Sequence, residues 1–215
     1  MKNLFLLEKE IIKEIQGTKY GGMYAGDAFY SFRELFFDKL EGKDDKSATI
    51  EILIKLFKDK SNDNDLRCKA AYICTNLDIP HIKERIERDM EDIRNTENYI
   101  TTVNAGLLNL DIEKQVVDKA LEKVHSCNLD RDIDVIRVIY NELVGFNANI
   151  RATSLNTDFT RDIDKEAAFF VARFSTIRAL QKILKSDKYD DNLKEKISII
   201  LEVDKLSKKI EEESA

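Results

Sequence analysis

The chain has 215 residues, 43% of them apolar and 35% charged, with a net charge of −6. That length can bury a core of its own, no apolar run approaches the ~20 residues of a membrane span, and the net charge repels phosphate backbones. Three cysteines at spacings that fit neither a disulfide framework nor a zinc site point to a reducing compartment, while one proline and seven glycines leave few turn residues for a strand-rich fold.

The expected class is therefore all-α. From Leu4 to Ile15, apolar residues Leu4, Leu7, Ile11, Ile12 and Ile15 recur at helical spacing. Glu8, Glu10 and Glu14 follow the first of these at once, which leaves no signal-peptide apolar stretch and makes the cytoplasm the expected location. The helix is expected to stop at Gly17. Residues Gly17 to Gly26 hold four of the seven glycines. Tyr20, Met23 and Tyr24 make this stretch a candidate binding loop, with a plain linker as the alternative.

Asp27 can cap a second helix carrying Phe29, Phe32, Leu35, Phe36 and Leu40, and Asp44 or Asp45 a third with Ile50, Leu53, Ile54 and Phe57 inward. A fourth helix is read at 66–77. Pro80 suits the first turn of a fifth, with Asp78 as cap and Ile82, Ile86, Met90 and Ile93 on its inner face. Further helices are expected at 96–109, 112–126, 131–146, 163–185 and 190–212, ten in all. The segment Gly145 to Thr160 is polar and interrupts this series, either as a binding-face loop, as a disordered insertion or as an extension of the helix before it. Its Asn147, Asn149, Arg151 and Asn156 are candidate binding residues. In the last helix, Leu193, Ile197, Ile200, Val203, Leu206 and Ile210 form a stripe suited to capping the fold, or to a dimer seam.

Two internal echoes bear on the arrangement. Asn76-Leu77-Asp78-Ile79 returns as Asn109-Leu110-Asp111-Ile112 after 33 residues, and Arg131-Asp132-Ile133-Asp134 as Arg161-Asp162-Ile163-Asp164 after 30. Such periods are those of stacked helical hairpins, and on these tetrapeptides the chain resembles the HEAT-like α-helical repeat superfamily. The resemblance implies a right-handed α-α superhelix of antiparallel hairpins, with an irregular helical bundle as the alternative. One domain is expected, made of non-repeat helices over 1–60, hairpin repeats over 62–185 and a capping helix over 190–212.

No complete catalytic constellation emerges. His81 and His125 are the only histidines, which excludes histidine triads and three-histidine metal sites. Cys68 and Cys74 read as core residues, and His125 beside Cys127 as a helix-end pair. Glu84, Glu87 and Glu91, and Asp118 with Glu122, have the spacing of magnesium-binding carboxylates, but interleaved arginines and lysines make them a solvated face. Asp130, Asp132 and Asp134 imitate an EF-hand loop that then has Val135 where glycine is needed. Gly17-Thr18-Lys19 lacks the rest of a P-loop.

The sequence therefore points to a non-enzyme without metal or cofactor: a protein-binding adaptor, inhibitor or immunity protein. Its acidic surface would suit a basic partner such as a toxin or nuclease, with no membrane and no nucleic acid expected. The alternatives are a nucleic-acid-binding or repair enzyme on a HEAT-like scaffold, and a metal-dependent all-α nucleotide phosphohydrolase.

Overall fold

A computed structural model of the chain describes residues 4–17, 32, 36–40, 42–77, 79–126, 133–154 and 162–213. Among them there is no strand. Eight α-helices have their bounds among the described residues: α1 (Leu4–Gly17), α2 (Lys43–Lys58), α3 (Asn64–Thr75), α4 (Ile82–Asp89), α5 (Asn104–Ser126), α6 (Ile133–Ser154), α7 (Asp162–Lys185) and α8 (Asp191–Glu213). The chain divides into two compact units, residues 1–110 and 111–215.

In the first unit the shortest apolar patterns do the most work. Leu7, Ile11 and Ile15, four residues apart, turn one face of α1 inward. On α2, Ile52, Leu53, Ile54, Leu56 and Phe57 are buried, and Asp44 and Asp45 occupy the first turn behind a Gly42 cap instead of capping it themselves. Asp63 caps α3, its carboxylate accepting from Leu66 N at 2.9 Å. Every residue from Leu66 to Thr75 is buried. A helix covered on all sides is the centre of its unit, and α1, α2, α4 and a π-helical stretch all pack on α3.

That central helix carries a cation. Arg67 is 1% exposed. Its Nε donates to Phe57 O at 3.0 Å, and Nη1 and Nη2 donate to the two oxygens of Asp92 at 2.8 and 2.9 Å. Asp92 lies on a 3₁₀ turn, Glu91–Ile93, that follows α4. The inner face expected from the sequence is present, with Ile82, Ile86, Met90 and Ile93 all buried, but α4 ends at Asp89 and the last two side chains come from the turn. Pro80 lies two residues ahead of α4, and His81 takes the N-cap place with φ 55° and no side-chain cap bond. Asp78 lies outside the described residues.

The two helices expected at 96–109 and 112–126 are one run. A π-helical segment, Tyr99–Val103, leads directly into α5. What breaks near Asn109 is the apolar period and not the backbone. Val103 and Leu107 are buried on one side of the helix, then Ile112, Val116, Ala120 and Val124 resume on another. The 33-residue echo consequently falls on unlike places, since Asn76 and Leu77 form the turn after α3 while Asn109 to Ile112 lie within α5. In the 30-residue echo, Ile133 opens α6 and Ile163 is the second residue of α7; Arg131, Asp132 and Arg161 are outside the described residues. The second expected helix also falls mostly outside them, and its described end is a 3₁₀ turn, Phe37–Lys39.

The second unit is built from α6, α7 and α8 with the later turns of α5. Ala120 and Val124 of α5 join Ile136, Ile139, Leu143 and Ala148 of α6, Ala172, Leu180 and Ile183 of α7, and Leu193, Ile197 and Ile200 of α8 in one core. Asp190 caps α8 through Leu193 N at 2.8 Å. Of the terminal stripe, the side chains of Val203, Leu206 and Ile210 lie outside the description. No helix among the described residues is long and apolar enough to cross a membrane.

Two outcomes are expected. A Cβ on Gly106 would stand 2.6 Å from Thr75 Oγ1 and 3.0 Å from Tyr72 Cδ2, and Thr75 is held by donating to Tyr72 O at 2.7 Å. Gly106→Ala, although a gain of about 1 kcal/mol in helix propensity, should destabilise by a net of about 1–2 kcal/mol in denaturant melts. Adding Thr75→Ala should return part of that loss, giving a favourable coupling in the double-mutant cycle. Hydrogen bonds from Arg67 hold the Asp92 carboxyl below its usual 3.8. The bridge therefore stabilises the fold above that pH and fails as the pH falls through the lower folded-state value. Asp92→Asn should melt at lower denaturant at neutral pH and lose less stability on acidification than the parent chain.

Candidate functional site

Three of the candidate residues, Asn147, Asn149 and Arg151, lie on α6, which does not end at 146 as expected but continues through Ser154. The polar segment is thus helical as far as it is described, because Asn147, Ile150 and Arg151 continue the spacing set by Leu143 and bring polar groups onto the side facing α7. Asn147 is fully buried. Its Nδ2 donates to Ala172 O at 3.1 Å and to Thr176 Oγ1 at 3.0 Å. Its Oδ1 accepts from Arg151 Nε, one turn later, at 2.9 Å, and Arg151 Nη2 donates to Ser175 Oγ at 2.8 Å.

A second polar group sits farther along α7. Glu113 of α5 is 6% exposed. Its Oε1 is 2.6 Å from Lys182 Nζ and its Oε2 3.3 Å from Arg178 Nη2, so one carboxylate lies between two cations of α7. Lys123 of α5 is ion-paired with Glu142 of α6, and Lys119 lies 5.9 Å from the centre of the Phe146 ring. These groups tie α5, α6 and α7 together inside the second unit. Chemically they are paired charges in a packed polar seam, in which the buried Glu113 Oε1 and Arg178 Nε make no hydrogen bond of good geometry.

The candidates therefore separate. Asn147 and Arg151 belong to the seam. Asn149 points outward on α6, where its carbonyl accepts from Thr153 Oγ1. Tyr20, Met23, Tyr24 and Asn156 lie outside the described residues.

The thiols are poor nucleophiles: burial pushes Cys68 up to about 12 and Cys74 higher still. Cys127 is outside the description. His81 and His125 are exposed, with His81 Nδ1 3.9 Å from Glu84 Oε1. Glu122 pairs with Lys119 at 2.7 Å, as an exposed charged face does. Among the described residues no three His, Cys, Asp or Glu side chains are grouped to hold a metal ion.

The structure adds residues that the sequence reading passed over. Phe169, Val171 and Phe174 of α7 are 53%, 48% and 38% exposed, and Val138 of α6 is 56% exposed. Their signal was available: residues 167–171 of α7 are an unbroken apolar run in the sequence, more than the one buried stripe of Ala172, Thr176, Ala179, Leu180 and Ile183 can take in.

Asn147→Ala should destabilise the chain by about 1–3 kcal/mol, the effect of leaving buried partners unsatisfied, whereas Asn149→Ala should shift stability by less than about 0.5 kcal/mol. Chemical denaturation of the two variants separates a seam residue from a surface one. Protein-family models, curated proteins and solved structures give no match to this chain.

Proposed function

We propose that the chain is a protein–protein interaction module, an adaptor, inhibitor or immunity protein, whose contact surface includes Phe169, Val171 and Phe174 of α7. The observation that carries this reading is the partial exposure of Phe169, Val171 and Phe174, three large apolar side chains within six residues of α7. Covering what remains exposed of each such side chain is worth roughly 1 kcal/mol, and large apolar side chains left partly exposed close together mark contact surfaces. The net charge of −6 would speed encounter with a basic partner such as a toxin or nuclease.

Two further parts belong to the same proposal. A HEAT-like stacking of the helices is supported by the 30-residue echo that opens α6 and α7. A cytoplasmic setting is supported by Cys68 and Cys74, both buried and free.

The test is affinity purification of the tagged full-length chain from its native cell, with Phe169→Ser/Phe174→Ser as the matched variant. A stoichiometric partner is expected with the parent and not with the variant, at melting temperatures within about 2 °C of each other. Recovery of the same partner by both would exclude α7 as its docking surface, and recovery of none by either would count against the module.

A further inference from the structure

The π-helical turn between the Arg67–Asp92 bridge and Gly106 has a second register within reach. We propose that residues 93–105 form a register switch, in which the π turn at Tyr99–Val103 exchanges with a regular α turn that brings Ile100 into the core where Tyr99 now sits.

Two anchors fix the ends of the moving segment. On one side the Arg67 guanidinium grips Asp92 with two bonds of 2.8 and 2.9 Å. On the other, Gly106 lies so close to Thr75 and Tyr72 that no Cβ fits between them, which locks the helix downstream of the turn onto α3. The residues nearest the first anchor lie at the surface, where Arg94, Asn95, Glu97 and Asn98 are exposed and Thr96 is half-buried, and they are held by local bonds alone, Thr96 N and Oγ1 donating to Ile93 O at 2.9 and 2.7 Å and Ile100 N to Thr96 O at 3.0 Å. A one-residue slip can be taken up there by exchanging these local bonds, which neighbouring residues at the surface or water can replace, without breaking either anchor.

The apolar pattern supplies the second state. Tyr99 and Val103 are buried at 1% and 0%, while Ile100 beside them is 53% exposed. An α-helix advances about 100° per residue, which would place Tyr99 and Ile100, four and three positions before Val103, on either side of it. The wider π turn advances less per residue, so it centres Tyr99 over the core and turns Ile100 out. Regularising the turn feeds one residue into the polar stretch at 94–96, buries Ile100 and swings Tyr99 toward solvent. The exposed face at 97–101 thereby has two forms, and a partner that grips either side chain would select one.

Hydrogen exchange on the full-length chain, read by mass spectrometry, tests the switch with two variants. Amides of 99–103 are expected to exchange at least about tenfold faster than those of α3. Ile100→Ala removes the side chain that only the α register buries. It should slow that exchange by about threefold or more while leaving the melting temperature unchanged. Exchange that is unchanged or faster in Ile100→Ala would mean simple fraying and overturn the proposal, as would protection at 99–103 equal to that of α3. Deletion of Thr101 removes the residue stored in the π turn and should leave a cooperatively melting chain. A deletion variant that does not fold would show that the α register does not fit this site.

Discussion

A guanidinium with 1% of its surface exposed sets the terms for the first unit. Taking such a charge out of water costs several kcal/mol, and only a full set of well-placed acceptors offsets that. Arg67 finds them on three separate stretches of chain: Phe57 O at the end of α2, Asp89 O at the end of α4, and both oxygens of Asp92 on the 3₁₀ turn. The early end of α4 follows from this. Were the helix to continue past Asp89, Asp92 would not be carried round to the guanidinium. The bridge thus fixes where α4 stops and where the following turn begins, and the π-helical entry to α5 starts from that point.

The second unit meets the same requirement with different chemistry. Among its described residues a fully buried neutral amide, Asn147, joins α6 to α7 through a carbonyl and a hydroxyl. Full charges occur nearer the edge, where Glu113 lies between Arg178 and Lys182, both partly exposed. A neutral amide requires less desolvation than a buried charge. It still specifies register, because a helix displaced by one residue would leave Asn147 without its partners.

What could be read from the sequence was what short-range periodicity encodes. Leu7, Ile11 and Ile15, Ile82 to Ile93, and Leu193, Ile197 and Ile200 face inward as their spacing requires. The rest depended on distance. Arg67 looks like any helix-surface arginine until Asp92, 25 residues away, is placed beside it. Asn109-Leu110-Asp111 looked like a helix boundary because the apolar stripe changes sides there, and a change of buried face resembles a break when only spacing is read. Asn147 and Arg151 looked like loop residues for a similar reason: polarity that would ordinarily meet water instead meets a neighbouring helix. The apolar start of α7 was visible as composition, but which of its side chains stay outside is settled only by packing.

The continuity of α5 bears on how this chain could be divided or recombined. Its early turns complete one core and its later turns another, with the division between Leu110 and Asp111 in the middle of unbroken helix. Severing the chain there would strip the last four carbonyls of one piece and the first four N–H groups of the other of their partners. It would also separate each set of buried side chains from the helix that presents it. Neither half is therefore a portable part. An insertion, fusion or exchange that cut between residues 110 and 111 would damage both cores at once.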